Sequence, residues 1–450
     1  MVGGIGAWIA GAGVNPPTIA ENVVFVPLLG LGCYNAGRLA YGRTAGLLAV
    51  VFALGTPIIG SEFHEFLIDP ALAALVALTV WLLLASDRFR DIRWVLPAGG
   101  AAGVGLLTKQ TFLFYIAGVV VVMLARGGWR NWRHVLAFGA VIFAVAWGYY
   151  LYHFNYLHQL SKGIIAGDAN SIAQTGLYHA PSGPDNRVPA QVSLDNTLWY
   201  FWAVVNHVLR LPYALLFGGG TIAAIVAYVR RPRKDNLVPE LVGGAVIGWI
   251  LITYYMSLHD NRYVLPLLVY AAVLGTAWIV RLPRRWGLAA GGAVAALAAL
   301  NLAGVTFGLG SKVAITLPGA PKSDLGVGRL TLYSPEGWLV SGPERAGDVP
   351  GILAKAKRDG VQNVGFETGG TVFFNHMGLW AIMVIQEWPH PPVFDKPETL
   401  DSRGLYVFSR PATGRYARPC LHAADGTPVF FAYGGQKKPF PQWTLSCPRP

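Results

Sequence analysis

The sequence predicts a polytopic α-helical membrane protein with about ten spans and a small α/β extracytoplasmic C-terminal domain. Three observations carry that expectation. The chain of 450 residues is 54% hydrophobic and only 13% charged, where a soluble chain carries about 25% charged residues. Its apolar residues come in blocks of about 14–23, a length set by bilayers rather than by core helices. Basic residues also fall unevenly between those blocks. The spans read as roughly 19–39, 44–60, 67–85, 94–108, 111–125, 135–152, 211–229, 238–256, 263–281 and 286–308.

Alternate connections lie on opposite sides of the membrane. One side holds Arg38 and Arg43, then Arg88, Arg90 and Arg93, then Arg126, Arg130 and Arg133, then Arg230, Arg231, Arg233 and Lys234, and finally Arg281, Arg284 and Arg285. The other holds Lys109, Lys162, Arg187 and Arg262. The first side is therefore expected in the cytoplasm. The net charge of +12 is explained by this anchoring, so nucleic acid is not an expected partner. The expected location is the plasma (inner) membrane, multi-pass.

Residues 1–310 form the expected transmembrane domain. Its outer loop 153–198 is rich in Tyr, His, Ser, Gly and Asp, and LWYFWAVVNHVL (198–209) reads as an interfacial segment or an early, tilted start of the next span. Residues 311–450 form the second domain. There DVPGILAKAKRDG (348–360) predicts a helix, with Asp348 as N-cap, Pro350 in the first turn and Gly360 at its end. VQNVGFE (361–367), GLYVFSR (404–410) and TPVFFAYGG (427–435) alternate as strands do. Cys33 sits inside a span as packing. Cys420 and Cys447 share the outer domain, where an oxidising exterior favours a disulfide closing residues 421–446.

Three short stretches carry candidate chemistry. SEFHEFLIDP (61–70) gathers Glu62, His64, Glu65 and Asp69. If the next helix starts early, Glu62, Glu65 and Asp69 share one face at i, i+3 and i+7. That face would hold a divalent cation, the candidate cofactor, with His64 nearby, or orient a sugar hydroxyl. The plainer reading is a solvated helix start whose acids favour the N-terminal dipole. GLLTKQTF (105–112) places Lys109 between two spans of about 15 residues, each about 22 Å long. A bilayer core is about 30 Å thick. Lys109 is thus expected below the outer surface, meeting a lipid phosphate or snorkelling to the head groups. SLHDNRYVLPLL (257–268) puts His259, Asp260, Arg262 and Tyr263 at an outer span end. Either an anionic ligand or Asp260 holds the Arg there. The GGG run at 218–220 suits close helix packing. His153 and His158 make no convincing zinc pattern, and no GxSxG, HExxH, GxGxxG or P-loop pattern occurs in a useful context.

The order of these features resembles the GT-C glycosyltransferases. The carriers are GRLAYGRTAGLLAVVFALGTP (37–57), a short outer loop ending in Asp, GVGLLTKQ (103–110) and NRYVLPLL (261–268). The nearest flavour is the bacterial branch of protein O-mannosyltransferase-like and lipid A aminoarabinose transferase-like enzymes. The resemblance implies a membrane glycosyltransferase that moves a sugar from a polyprenyl-phosphate donor to a lipid or glycan acceptor at the outer face. It implies donor-phosphate binding by Lys109, Arg262 and Tyr263, and Asp69 matches an acid of the family; the candidate catalytic residues Asp69 and Glu65 would position the acceptor or hold a cation. It also implies a catalytic acid in a first outer loop, for which this sequence offers only Glu21 among its first 60 residues. MVGGIGAWIAGAGV therefore reads as a re-entrant piece, or the chain begins later than its relatives do. Two other functions fit less of the pattern. One is a non-catalytic membrane partner that binds a lipid-linked glycan. The other is a transporter, whose charges would sit mid-span rather than near the outer face.

Overall fold

IDPALAALVALTVWLLLA is apolar on every side, so it has no face to offer water. In the computed structural model it forms helix Ile68–Ala85, the buried centre of a helical bundle. The structure describes residues 15–64, 68–154, 194–233, 235–256, 260–319, 328–335, 353–354, 357–358, 360–361, 363–366, 388, 404–408, 421–422 and 428–433. Glu65, His259, Cys420 and Cys447 lie outside them.

In chain order the helices are α1 (Asn15–Tyr41), α2 (Arg43–Leu54), α3 (Pro57–Glu62), α4 (Ile68–Ala85), α5 (Ile92–Thr108), α6 (Phe112–Ala125) and α7 (Trp132–Tyr152). Then follow α8 (Leu194–Ala203), α9 (Arg210–Arg230), α10 (Val238–Tyr255), α11 (Leu268–Gly275) and α12 (Arg284–Phe307). A π-helix (Val204–Val208) joins α8 to α9, and a 3-10 helix (Asn261–Leu267) leads into α11. Among the described residues, seven segments are long and apolar enough to cross a membrane, and α2, α5 and α6 are shorter apolar helices. The segments Ile68–Ala85 and Asn261–Arg281 are the most buried of the seven. They pack on each other; Asp69 lies in the first turn of one, and Asp260 caps the start of the other.

Two expected spans are not continuous helices. The stretch 44–60 breaks between α2 and α3, where Pro57 occupies the first turn of α3 and Thr56 donates its hydroxyl to the Phe52 carbonyl at 2.7 Å. The stretch 263–281 begins as a 3-10 helix containing Pro266. Nor do Glu62 and Asp69 share one helix. Glu62 ends α3, Phe63 caps it, and Asp69 belongs to the first turn of α4.

Close helix approach relies on absent side chains. A Cβ on Gly118 of α6 would lie 2.1 Å from the Gly243 carbonyl oxygen of α10, and one on Gly244 would meet the Tyr270 ring at 2.3 Å. The first contact joins α6 to α10 and the second joins α10 to α11. Gly118→Ala must push two backbones apart, an overpacking cost of about 1–3 kcal/mol. It should lower the thermal unfolding midpoint in detergent by several degrees; an unchanged midpoint would show that α6 and α10 part freely.

At the end of α4 opposite Asp69, Asp87, Arg88 and Phe89 adopt φ of 46°, 58° and 63°. Left-handed backbone costs a non-glycine residue roughly 1–2 kcal/mol. Several bonds hold it. The Phe89 amide donates to Ser86 Oγ (3.2 Å), Asn131 Nδ2 to the Arg88 carbonyl (3.2 Å) and His134 Nδ1 to the Phe89 carbonyl (2.7 Å). The turn delivers Arg88 Nε to Glu240 Oε1 at 2.9 Å, while Arg126 Nη1 reaches Glu240 Oε2 at 2.5 Å and the Asn236 carbonyl at 2.7 Å. Glu240 is fully buried.

One compact unit comprises Ala20–Tyr178 and Asp185–Glu336; the other comprises Met1–Ile19, His179–Pro184 and Gly337–Pro450. In the first, β1 (Val313–Thr316) and β2 (Arg329–Tyr333) form an antiparallel hairpin. It is pinned to the helices by Thr331, whose amide and hydroxyl both donate to Asn206 Oδ1. In the second, β3 (Asn363–Phe366), β4 (Gly404–Phe408), β5 (Leu421–His422) and β6 (Pro428–Tyr433) make a sheet of order β3-β4-β6-β5. β3 and β4 run parallel and the other pairs antiparallel. β3, β4 and β6 fall inside 361–367, 404–410 and 427–435, β5 lies outside those stretches, and residues 353–354 and 357–358 are helical.

Candidate active site

Asp69 is the hub. It sits in the first turn of α4, just before Pro70, where a helix-start carboxylate suits the dipole. Its side chain is 3% exposed. Lys109 closes α5, and its Nζ meets Asp69 Oδ1 at 2.6 Å. Arg262 Nη1 stands 4.0 Å from Asp69 Oδ2. Residues 69, 109 and 262, far apart in sequence, thus converge.

Arg262 is also held from its own turn. Asp260 caps the 3-10 helix by accepting from the Arg262 amide at 3.0 Å. Its Oδ2 accepts from Arg262 Nε at 3.0 Å and Nη2 at 2.6 Å. So Asp260 holds the guanidinium, as one of the two sequence readings had it. Tyr263 lies next in the chain, and its ring faces Lys109 Nζ at 4.6 Å. Glu62, buried at the end of α3, adds a further carboxylate whose charge acts on Arg262.

Exposure sorts these charges. The cations are 23% (Lys109) and 29% (Arg262) exposed, whereas Asp69 behind them is nearly sealed. A lysine has three N–H donors and an arginine five. Among the described residues, Lys109 gives one to Asp69 and Arg262 gives two from its side chain to Asp260. The remaining donors are what an anion would find. An ammonium and a guanidinium with free donors are groups that bond anions by charge-assisted hydrogen bonds.

The rest of SEFHEFLIDP is employed otherwise. His64 Nδ1 donates to the Gly60 carbonyl at 2.6 Å, and Asn22 Nδ2 of α1 donates to the Phe63 carbonyl at 2.7 Å. Among the described residues, no three His, Cys, Asp or Glu side chains are grouped to hold a metal. Cys33 is a buried free thiol. The sequence reading had no role for Tyr115 or Tyr270, although both bond to backbone beside this site.

These features define a polytopic α-helical membrane protein. Residues 8–150 match the family described as dolichyl-phosphate-mannose-protein mannosyltransferase. The fold is similar to that of ArnT from Cupriavidus metallidurans bound to undecaprenyl phosphate, with a TM-score of 0.57 at 13% identity. That similarity covers 91% of this chain and 81% of ArnT. The apo state of the same protein gives 0.55 at 14% identity, with the same coverage. No curated protein matches this sequence significantly.

Proposed function

We propose that this chain is a glycosyltransferase that takes a sugar from a polyprenyl-phosphate donor and passes it to a lipid or glycan acceptor at the outer face of the membrane. The observation that carries the reading is the pair of partly exposed cations, Lys109 and Arg262, gathered around buried Asp69. The undecaprenyl phosphate bound by the similar ArnT structure supports a donor of that class. The asymmetry of Arg and Lys supports the outer orientation for this end of the bundle. Residues 1–310 are then the transmembrane domain and 311–450 an extracytoplasmic domain, with Cys420 and Cys447 proposed as its disulfide.

In the proposed reaction an acceptor hydroxyl oxygen attacks the anomeric carbon. The bond from that carbon to the phosphate oxygen breaks, and polyprenyl phosphate leaves with the electron pair. Lys109 and Arg262 offset the charge growing on that phosphate, and Tyr263 holds the Lys109 ammonium over its ring. The hydroxyl proton passes to a carboxylate, and Glu65 is proposed to position the acceptor. Asp69 keeps the two cations together from behind. A single displacement of this kind inverts the anomeric configuration.

The test uses the full chain in proteoliposomes with a radiolabelled polyprenyl-phosphate sugar. Arg262→Ala should reduce transfer about a hundredfold, as loss of one charge-stabilising donor does elsewhere. Transfer at the wild-type rate would end the assignment of Arg262. A second reading, binding of a lipid-linked glycan without transfer, draws on the same pair of partly exposed cations. Label retained on the protein with no product would favour it.

A further inference from the structure

Tyr115 and Tyr270 are both fully buried beside the candidate site, and both spend their hydroxyls on backbone. Tyr115 of α6 donates to the Tyr263 carbonyl at 2.9 Å, and Tyr270 of α11 donates to the Tyr115 carbonyl at 2.6 Å. The first bond has a cause in the sequence. In a 3-10 helix the carbonyl of residue i accepts from the amide of residue i+3. For Tyr263 that residue is Pro266, which has no N–H. A buried carbonyl without a donor is costly. The Tyr115 hydroxyl supplies one from another helix.

The position of that bond gives it consequence. Lys109 and Tyr115 belong to one rigid corner, because the Phe112 amide donates back to the Lys109 carbonyl at 3.0 Å. Tyr263 directly follows Arg262. The bond therefore ties the arm that carries Lys109 to the arm that carries Arg262. Gly244 clears the space that the Tyr270 ring needs to support Tyr115 from the other side.

We infer that Tyr115, supported by Tyr270, is a positioning residue that sets the spacing of Lys109 and Arg262 for a phosphate ester. The inference rests on the phosphate reading of the site under Proposed function. A phosphate bridging two cations needs both within hydrogen-bond reach at once, and charge-assisted bonds lose strength quickly with misalignment. Neither tyrosine hydroxyl touches the phosphate. Their removal should weaken binding by letting the arms drift while leaving both cations present.

The experiment measures binding of decaprenyl phosphate to the purified full chain in detergent. The variants are wild type, Lys109→Ala, Tyr115→Phe, and Tyr115→Phe combined with Pro266→Ala. Thermal midpoints are recorded for all. Tyr115→Phe should weaken binding roughly tenfold, the scale of one lost hydrogen bond. Its midpoint should fall by no more than a few degrees, leaving the variant folded at the temperature of the binding measurement. Pro266→Ala restores an amide at the i+3 position, so the double variant should recover most of the lost affinity. Wild-type affinity in Tyr115→Phe, or a double variant no tighter than the single one, would overturn the positioning role while leaving the site reading intact. Equal binding, or none, by wild type and Lys109→Ala would overturn the phosphate reading and the inference with it.

Discussion

Lys109→Ala is expected to reduce sugar transfer by about 10²–10³-fold, the effect typical of removing a donor aimed at developing negative charge. The loss has two sources that must be separated. Lys109 faces the proposed phosphate, but it also neutralises Asp69 at 2.6 Å, and Asp69 is nearly sealed from water. Deleting the lysine leaves that carboxylate with Arg262 at 4.0 Å, so some activity loss would come from disorder around an under-compensated charge. The pair Lys109→Met with Asp69→Asn resolves the question. If Lys109 served only to neutralise Asp69, removing both charges would restore transfer. If it contacts the donor phosphate, the double variant should regain its thermal midpoint and stay inactive. The measurement is transfer of label alongside thermal unfolding of each variant in detergent. Recovery of transfer in the double variant would remove Lys109 from donor binding.

The sequence made the spans and their polar ends legible because both follow from local composition. An apolar block announces itself without reference to distant residues. Asp69, Lys109 and Arg262 stood out as charges placed where such blocks end on the arginine-poor side. What it did not reveal depends on contacts made over long separations. Glu240 meets Arg88 and Arg126 across 152 and 114 positions, and no local pattern marks that pairing. The break between α2 and α3 was missed for a different reason. Hydropathy averages over Gly55, Thr56 and Pro57, whereas the fold uses the break to admit α12: a Cβ on Gly55 would lie 2.3 Å from Ala298 Cβ. The hairpin of β1 and β2 was also missed, since it is pinned through Asn206 on the π-helix. A signal for Tyr115 did exist. Pro266 three residues after Tyr263 leaves a carbonyl in need of a donor, but only the fold identifies which hydroxyl meets it.

The largest stability effect is expected from Glu240→Ala. Glu240 is the shared counter-ion of Arg88 and Arg126, and its side chain is only 1% exposed. Breaking a buried pair by removing one partner typically costs about 3–5 kcal/mol, because the other charge stays buried. Here the loss is compounded. The Arg88–Glu240 bond helps to hold the left-handed turn Asp87–Phe89, so its removal also frees backbone that is strained at roughly 1–2 kcal/mol per residue. The thermal midpoint in detergent should fall by many degrees, and limited proteolysis should cut first within 86–91. The site should suffer less. Arg88 follows the C-terminal end of α4 and Asp69 lies in its first turn, so an 18-residue helix about 27 Å long separates them. Protein that remains folded at low temperature should therefore still bind decaprenyl phosphate. Replacing Arg88, Arg126 and Glu240 together by apolar residues of similar volume should recover much of the midpoint, since no uncompensated charge is left. A Glu240→Ala protein that unfolds at the wild-type temperature would show that these arginines are satisfied without it, and that the turn keeps its shape through the Ser86, Asn131 and His134 bonds alone.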